Sequence, residues 1–487
     1  MSFFQKMKDF FLGLSKNSRI AEEMNVVFRL PEDMAEYIKE WRDCYMALEY
    51  DRDKSKSGVA SLIAGDLARQ ALSEFSCTYG AEAVPVFKES DNLEIRHNVE
   101  QAIALGGCVY RPYFDGKTVR GTWYAADRIL PTQWEGRNLV GVVLLDYYVS
   151  GSASSTEVYT KLEAHGTDRT DGKYHIRTKL FKNFAYGDSI TSFTGTEVPL
   201  SAVPEWAEID PDVIIENPIA PTFVYFAFSA PNNKSLDSPL GVSIFKDALP
   251  WIRAFDEAFQ AMIWENDTGK TKLFVSDTMI PRKILRVANG DGKQKPISMD
   301  DLDALERKLY KKMSTESGQE LFERWAPELR FDSFITGMNF YLHMICLLCG
   351  LDPGQYVFDE KSYAVTAREI KSKQQRTYHT LTDIQCFMIT PSVRKMARAI
   401  AQLQYLYGVQ DAIPLTEEIS IDFGDSILID EETEMANAQL EVQTGLRSKK
   451  SYLMEYRHLT EEEADLELEQ MKKDNESSMP RLFVEGA

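Results

Sequence analysis

Two long stretches of helical apolar periodicity, separated by a module of different character, constrain this chain more than any other feature. From about residue 242 to 268, Phe245, Leu249, Ile252, Phe255, Phe259, Met262 and Ile263 recur three and four apart, which puts them on one helix face. A helix of that length spans roughly 40 Å. Residues 332–349, DSFITGMNFYLHMICLLC, read as a second apolar helix, with Phe334, Met338, Tyr341 and Ile345 as its packing residues. Between them, residues 269–330 read as strands, a turn at GDGK (290–293) and one helix over DLDALERKLYKKM. The chain goes out along one helix, builds a module and returns along another. That layout suits a protein that projects a module away from its body.

The second helix runs into GLDPGQYVFDEKSYAVTAREI, residues 350–370, a polar loop of about fifteen residues. Most helix–helix connections take roughly 2–8. Gly350, Pro353 and Gly354 permit a sharp turn. The loop is either functional or a surface loop packed against its own subunit. A helical pattern follows from about 366 to 408, and Pro391 falls inside it. Proline removes a backbone hydrogen bond and clashes with the preceding turn, so a kink or a break is expected there.

The N-terminal part reads as helices over 33–50, 59–77 and 94–107, the last stopped by Gly106-Gly107. From Val109 to about 228 the pattern becomes strand-like, with turns at Asp115-Gly116 and Asp171-Gly172, so the fold class is α+β with antiparallel strands. EISIDFGDSILID alternates like a strand, and 431–474 reads as two or three charged helices. Thr460 and Glu463 form a capping box there.

A chain of 487 residues exceeds one compact core and suggests two to four domains. Its net charge of −20 argues against ordinary duplex binding. The charge is uneven. Residues 411–487 hold 20 acidic and 7 basic side chains, while 366–410 hold 7 basic and 2 acidic. Six scattered cysteines suggest a reducing compartment, and Cys346-Leu-Leu-Cys349 lies in an apolar run without a second pair. The N-terminal twenty residues are too broken by charge for a secretory core and suit an amphipathic helix. No apolar run reaches about 18 residues, so no membrane span is expected.

Catalytic motifs do not assemble. Gly269-Lys270-Thr271 resembles the end of a phosphate-binding loop, but Trp264 stands where that loop needs glycine. Asp422-Phe423-Gly424 lacks every other element of a protein kinase. None of the six histidines forms a close metal-ligand pair. Glu163 and His165 share a strand face and are only a weak dyad candidate. No catalytic residue, metal or cofactor is expected.

Several blocks resemble the portal proteins of tailed bacteriophages, in particular those of long-tailed phages of Gram-positive hosts. They are ALGGCVYRPYFDGK, YTKLEAHG, SPLGVSIFKDAL, FDEAFQAMIWENDTGKTKLFV, VTAREIKSKQQRTY and IDFGDSILIDEETEMANAQLEVQTGLRSKKSY, with LTEEEADLELEQM after them. They stand in the family's order from about 94 to 471. The resemblance implies a portal fold with wing, two-helix stem, inserted α/β clip, tunnel loop and helical crown. Its divisions are 1–235 for the N-terminal wing, 236–268 and 331–350 for the stem helices, 269–330 for the clip, 351–365 for the tunnel loop, 366–424 for a kinked helix and wing strand, and 425–487 for the crown.

The resemblance further implies a homo-oligomeric ring of twelve at one capsid vertex, assembled in the host cytoplasm. Double-stranded DNA would pass through it without sequence specificity. The expected partners are the terminase large subunit, a head-completion adaptor, and capsid and scaffolding proteins. Tyr356, Phe358, Lys361 and Tyr363 would face the channel or a neighbouring subunit. Lys283, Arg286, Lys293 and Lys295 would be clip contacts, either to partners or to DNA. Phe245, Leu249, Ile252, Phe255 and Phe259 would pack with Phe334, Met338, Tyr341 and Ile345 in the stem. The alternatives are another structural virion protein and a nucleotide-dependent enzyme. Each phosphate neutralised by Lys or Arg adds affinity, so a conducting channel must not be densely basic.

Overall fold

The computed structural model describes residues 3–13, 18–46, 56–80, 82–152, 155–168, 170–186, 189–190, 195–216, 218, 220–236, 238–269, 272–276, 286–288, 294–296, 310–313, 322–325, 328–358, 375–409, 412–415, 418–424, 438–442, 444–456, 460 and 463–470. Helices α1 (Phe3–Gly13), α2 (Ser18–Glu23), α3 (Glu32–Tyr45) and α4 (Val59–Ala71) come first. The amphipathic N-terminal helix is present, with Met7, Phe11 and Leu12 buried. α4 ends earlier than its periodicity suggests. Cys77, expected on the helix, lies in strand β1 (Ser76–Tyr79), which pairs with β2 (Val84–Pro85).

Helix α5 (Glu89–Leu105) stops at Gly106, as the sequence indicates. Gly106 takes φ 92°, a left-handed conformation that glycine adopts without steric cost. The strands that follow are β3 (Gly107–Phe114), β4 (Val119–Ala125), β5 (Ile129–Glu135), β6 (Asn138–Ser152), β7 (Ser155–Thr167), β8 (Tyr174–Tyr186), β9 (Ser189–Ile190), β10 (Thr196–Val198), β11 (Asp212–Ile215) and β12 (Val224–Ala227). A large antiparallel sheet has the order β10-β8-β7-β6-β5, with β9 and β11 also paired to β8, and a second sheet has the order β12-β3-β4. The Asp115-Gly116 hairpin closes β3 on β4, and the Asp115 carboxylate accepts from the Lys117 and Thr118 amides at 2.9 and 2.7 Å.

The chain then leaves through α6 (Leu249–Thr268), forms β13 (Lys272–Ser276), β14 (Arg286–Ala288), β15 (Gln294–Pro296), β16 (Tyr310–Met313) and β17 (Phe322–Trp325), and returns through α7 (Phe331–Leu348). α8 (Gln375–Asp383) and α9 (Thr390–Leu406) follow. β18 (Ile419–Asp422) comes back to pair with β1, Ser76 opposite Asp422, so the 375–424 region belongs to the N-terminal body. α10 (Lys449–Tyr456) and helical residues 438–442 and 463–470 lie beyond it. The capping box is formed: the Thr460 amide donates to the Glu463 carboxylate at 2.9 Å, and the Glu463 amide reaches the Thr460 hydroxyl at 3.4 Å.

Two expectations need correction, and the one at Pro391 gains a specific form. The first long helix does not begin at 242. Residues 241–248 form turns and the helix starts at Leu249, because Pro250 lacks an N–H and its ring would strike the carbonyl four residues back in a continuous helix. Phe245 therefore lies before the helix, fully buried in the body. The segment Tyr310–Met313, read as a helix end, is strand β16 and pairs parallel with β13; 301–309 lie outside the described residues. At Pro391 the break takes a specific form. Ile384–Ile389 adopt π geometry, and the Thr390 amide bonds to the Gln385 carbonyl, five residues back.

One contiguous core runs from Phe11 to Ile413 and takes in α3 to α5, β3, the 240–255 segment, α7 and α9. One of its joints is a close backbone crossing. A Cβ on Gly106 would meet the Gly241 carbonyl oxygen at 2.6 Å, and a Cβ on Gly241 would collide with the Gly106 carbonyl. The Phe228 amide bonds to Gly106 O and the Ile244 amide to Ile103 O, both at 3.1 Å. The end of α5 is thereby bolted to the segment that leads into α6.

The two sheets are joined by a buried ionic network. Glu163 on β7 is fully buried and accepts from Arg111 on β3 at 2.5 Å, with Lys161 at 3.5 Å. His165 Nε2 donates to Glu163 at 2.7 Å, and its Nδ1 accepts from Thr222, which is itself bonded to Tyr174. Burial alone would push the Glu163 carboxyl up, but Arg111, His165 and Lys161 outweigh it and hold it well below the usual range. Burial lowers the pKa of His165 and keeps it neutral. The suspected dyad is thus a sealed structural contact between sheets.

Three stability measurements test these joints. Arg111→Met strands a buried carboxylate and should destabilise the fold by about 3–5 kcal/mol in urea unfolding, with partial recovery when Glu163→Leu is added. A depressed carboxylate stabilises fully above its unfolded pKa of about 4.3 and loses that contribution as pH falls through the folded value. The stability gap between the native chain and Glu163→Gln should therefore narrow only in acid. Gly106→Ala should cost more than about 1 kcal/mol by the same measurement, since a positive φ and the Gly241 carbonyl both oppose it.

Candidate assembly and channel elements

Helices α6 and α7 run antiparallel as a pair. Their expected packing faces meet the core: Leu249, Ile252, Phe255, Met338 and Ile345 are buried, and Phe259, Phe334 and Tyr341 pack half-buried against them. Trp251 lies edge-on to Phe340 with ring centroids 5.9 Å apart, and 6.3 Å from Tyr341. At the distal end, the Arg330 amide and guanidinium both donate to the Glu265 carboxylate, at 2.9 and 2.5 Å. This pairing lowers the Glu265 pKa and raises that of Arg330.

The opposite face of α7 is open. Ser333, Thr336, Phe340, His343 and Leu347 recur at heptad spacing and are all exposed. Phe340 is 54% exposed; Trp264 near the end of α6 is 68% exposed. The sequence implies more apolar surface on α6 and α7 than one helical pair can bury, but its packing residues Phe334, Met338, Tyr341 and Ile345 do not include this stripe. The same residues overturn the expectation that no segment is apolar enough to span a membrane: α7 passes that test by length and composition, with 22% of its window buried. Its partner argues against insertion. Arg253, Asp256, Glu257, Glu265 and Asp267 of α6 would enter hydrocarbon with it.

The base of the long loop is clamped. The Asp352 amide donates to the Thr377 hydroxyl, and the Thr377 amide donates back to the Asp352 carboxylate, each at 3.0 Å. The Thr380 hydroxyl bonds to Gly350 O at 2.6 Å, and Arg376 caps Leu347 O at 2.9 Å. The two loop ends are therefore neighbours. Tyr356, expected at a lumen or a neighbour, points inward instead. Its hydroxyl donates to Asp66 at 3.1 Å, and burial followed by that carboxylate pushes its pKa up. Phe358 remains 55% exposed, with its amide held by Asn339 at 3.1 Å. Lys361 and Tyr363 lie outside the described residues.

In the inserted module, β13 is flanked by β16 and β17, and β14 pairs with β15 as a hairpin. Arg286 stands opposite Pro296 and Lys295 opposite Val287. Lys283 and Lys293 lie outside the described residues. The motif fragments remain fragments: Gly269 ends α6, and Phe423 packs on Phe75 with centroids 5.8 Å apart. Cys346 and Cys349 are buried free thiols; burial raises the pKa of both, Cys346 to about 11.

The structure does gather one group that spacing did not reveal, Asp168, Asp171 and His175, within 4.8 Å of one another. Its charge is compensated within the protein. Arg177 and Asn25 hold Asp168, while both His175 ring nitrogens sit 2.9 Å from carboxylates, those of Asp171 and Asp212. Burial opposes protonation of His175, but the two aspartates outweigh it and raise its pKa.

No curated protein matches the chain in sequence. Solved structures with similar folds include the virion of a native gene transfer agent particle, at 12% identity and TM-score 0.36, covering 87% of this chain and 93% of that one. The neck of the native particle, computed with C12 symmetry, follows at 11% identity and TM-score 0.35, covering 89% and 96%. The neck of the empty particle, computed with C6 symmetry, stands at 13% and 0.36, covering 87% and 93%. At those scores the likeness carries no argument by itself; the family assignment rests on a sequence model that matches residues 92–481. With that match over most of its length, the chain belongs to the SPP1 Gp6-like family of phage portal proteins.

Proposed function

We propose that this chain is the subunit of a twelve-membered portal ring at one capsid vertex, enclosing a channel for double-stranded DNA in packaging and ejection. The observation that carries the reading is the open stripe of α7. Phe340, Leu347 and their neighbours leave an apolar helix uncovered in a single chain, and a closed ring of heterologous contacts supplies the missing cover. Burying each large apolar side chain contributes about 1.5–3 kcal/mol. The α6–α7 pair is the stem, the module it carries is the clip, and residues 351–365 are the tunnel loop, reaching the lumen from its clamped base.

The net charge of −20 fits a conduit. A duplex that must slide cannot be held by many phosphate contacts, and repulsion acting over about 8 Å at physiological salt keeps it off an acidic wall. The role is structural rather than enzymatic, in keeping with the family, and its place is the virion. The clip, through Lys283, Arg286, Lys293 and Lys295, is the docking point for the terminase large subunit and later for the head-completion adaptor and head–tail connector. Capsid and scaffolding proteins surround the wing during assembly in the host cytoplasm.

Electron microscopy of the purified chain should show rings with a central pore, and their absence refutes the proposal. Phe340→Glu with His343→Glu puts charge on the exposed face of α7 at the cost of one edge contact to Trp251, so the subunit should still fold while sedimentation shows loss of the ring. Rings formed as well as by the native chain would count against the stem contact. Replacing 354–363 by a short Gly-Ser link should leave rings intact and reduce packaged DNA. Unchanged packaging by that variant would rule out the loop's role.

A further inference from the structure

Strand β11 is held on the large sheet by polar contacts more than by burial. It pairs with β8, Asp212 opposite Arg177 and Ile214 opposite His175. Its apolar side chains face water: Ile214 is 49% exposed and Val213 37%, so apolar burial does little to hold it. Beyond the backbone ladder, its ties are charged. Asp212 meets His175 Nδ1 at 2.9 Å and Arg177 Nε at 3.6 Å, and Glu216, just past the strand, meets Lys173 at 2.8 Å.

The centre of these ties is His175, which is buried on β8. Its Nε2 faces the Asp171 carboxylate, in the turn between β7 and β8, and its Nδ1 faces Asp212 of β11, each at 2.9 Å. A neutral imidazole carries one N–H, so it can donate to one of these carboxylates and must turn a lone pair on the other. Only the imidazolium donates to both. The surrounding charges want that proton. Among the described residues, two cations, Lys173 and Arg177, stand with four carboxylates, Asp168, Asp171, Asp212 and Glu216. Arg177 lies 3.4 Å from Nδ1 and opposes the proton, but it is itself drawn to Asp168 and Asp212, while Lys173 turns to Glu216.

We propose that protonated His175 is a clasp that locks β11 and the β7–β8 turn onto β8, and that it opens when the ring loses its proton. Burial and Arg177 act against the charged ring, yet Asp212 and Asp171 outweigh them and raise its pKa. A group raised on folding gives its full stabilisation below its unfolded pKa of about 6.5 and loses it as pH rises through the folded value. β11 is therefore closed in mild acid and loosens in mild base. Strands β6 and β7, whose inward side chains are buried and whose His165 is neutral, do not follow. The clasp stands independently of the ring reading.

The test is backbone amide exchange on the full chain, read by mass spectrometry for the peptide spanning β11 and corrected for the intrinsic pH dependence of exchange. Protection of β11 should fall at least about fivefold between about pH 6 and about pH 9, with β6 and β7 peptides unchanged. His175→Asn, which takes no charge, should show low protection at both pH values. Asp212→Asn, an exposed substitution that keeps the strand's backbone ladder, should flatten the pH dependence without unfolding the sheet. Equal protection of native β11 at the two pH values overturns the clasp, as does a native-like fall in either variant.

Discussion

An apolar helix with two faces and one partner is the constraint from which the rest follows. Along α7, Met338, Leu342 and Ile345 turn into the core, and α6 supplies part of that cover. The stripe through Thr336, Phe340, His343 and Leu347 stays exposed in a single chain, with Trp251 at the edge of Phe340 covering part of it. A soluble protein does not keep such a surface without use, and scattered single exposures cannot explain a stripe at heptad spacing. Lipid is one possible cover and the charges of α6 exclude it. Another protein surface is what remains, and the antiparallel pair is stiff enough to present the stripe to one.

That stiffness comes from joints at both ends. Distally, Arg330 and Glu265 tie the end of α6 to the start of α7 across the inserted module. Proximally, the crossing of Gly106 and Gly241 admits no Cβ, so α5 and the entry to α6 cannot slide without breaking backbone contact. The C-terminal carbonyls of α7 are met by side chains of α8, through Arg376 and Thr380. The stem is thereby tied to α8, which continues through the π turn before Pro391 into α9 in the body. The π turn also swings Phe387 outward, where it is 69% exposed.

Much of this was legible beforehand, for identifiable reasons. The outgoing and returning helices, the hairpins at Asp115-Gly116 and Asp171-Gly172 and the stop at Gly106 each rest on local rules that tertiary context did not override. The helix start at 242 failed because Phe245 fits a helical period whether or not it is helical, while Pro250 carried the contrary signal. β16 was misread because Tyr310–Met313 owes its strand geometry to β13, more than thirty residues away. The Glu163 network, the inward turn of Tyr356 and the gathering around His175 depend on partners distant in sequence, which periodicity cannot supply. An excess of apolar surface over what the α6–α7 pair can bury is legible from composition alone; which residues of α7 stay open depends on where α6 and the core lie.

The clamp at the loop base changes how the loop itself is to be understood. Asp352 and Thr377 bond to each other in both directions, and Gln355 accepts from the Thr377 hydroxyl at 2.9 Å. The described ends of the loop therefore meet at one place on the body. Tyr356 and Asp66 add a third anchor on the body side. The clamp is made of hydrogen bonds rather than ion pairs, so ionic strength leaves it largely intact.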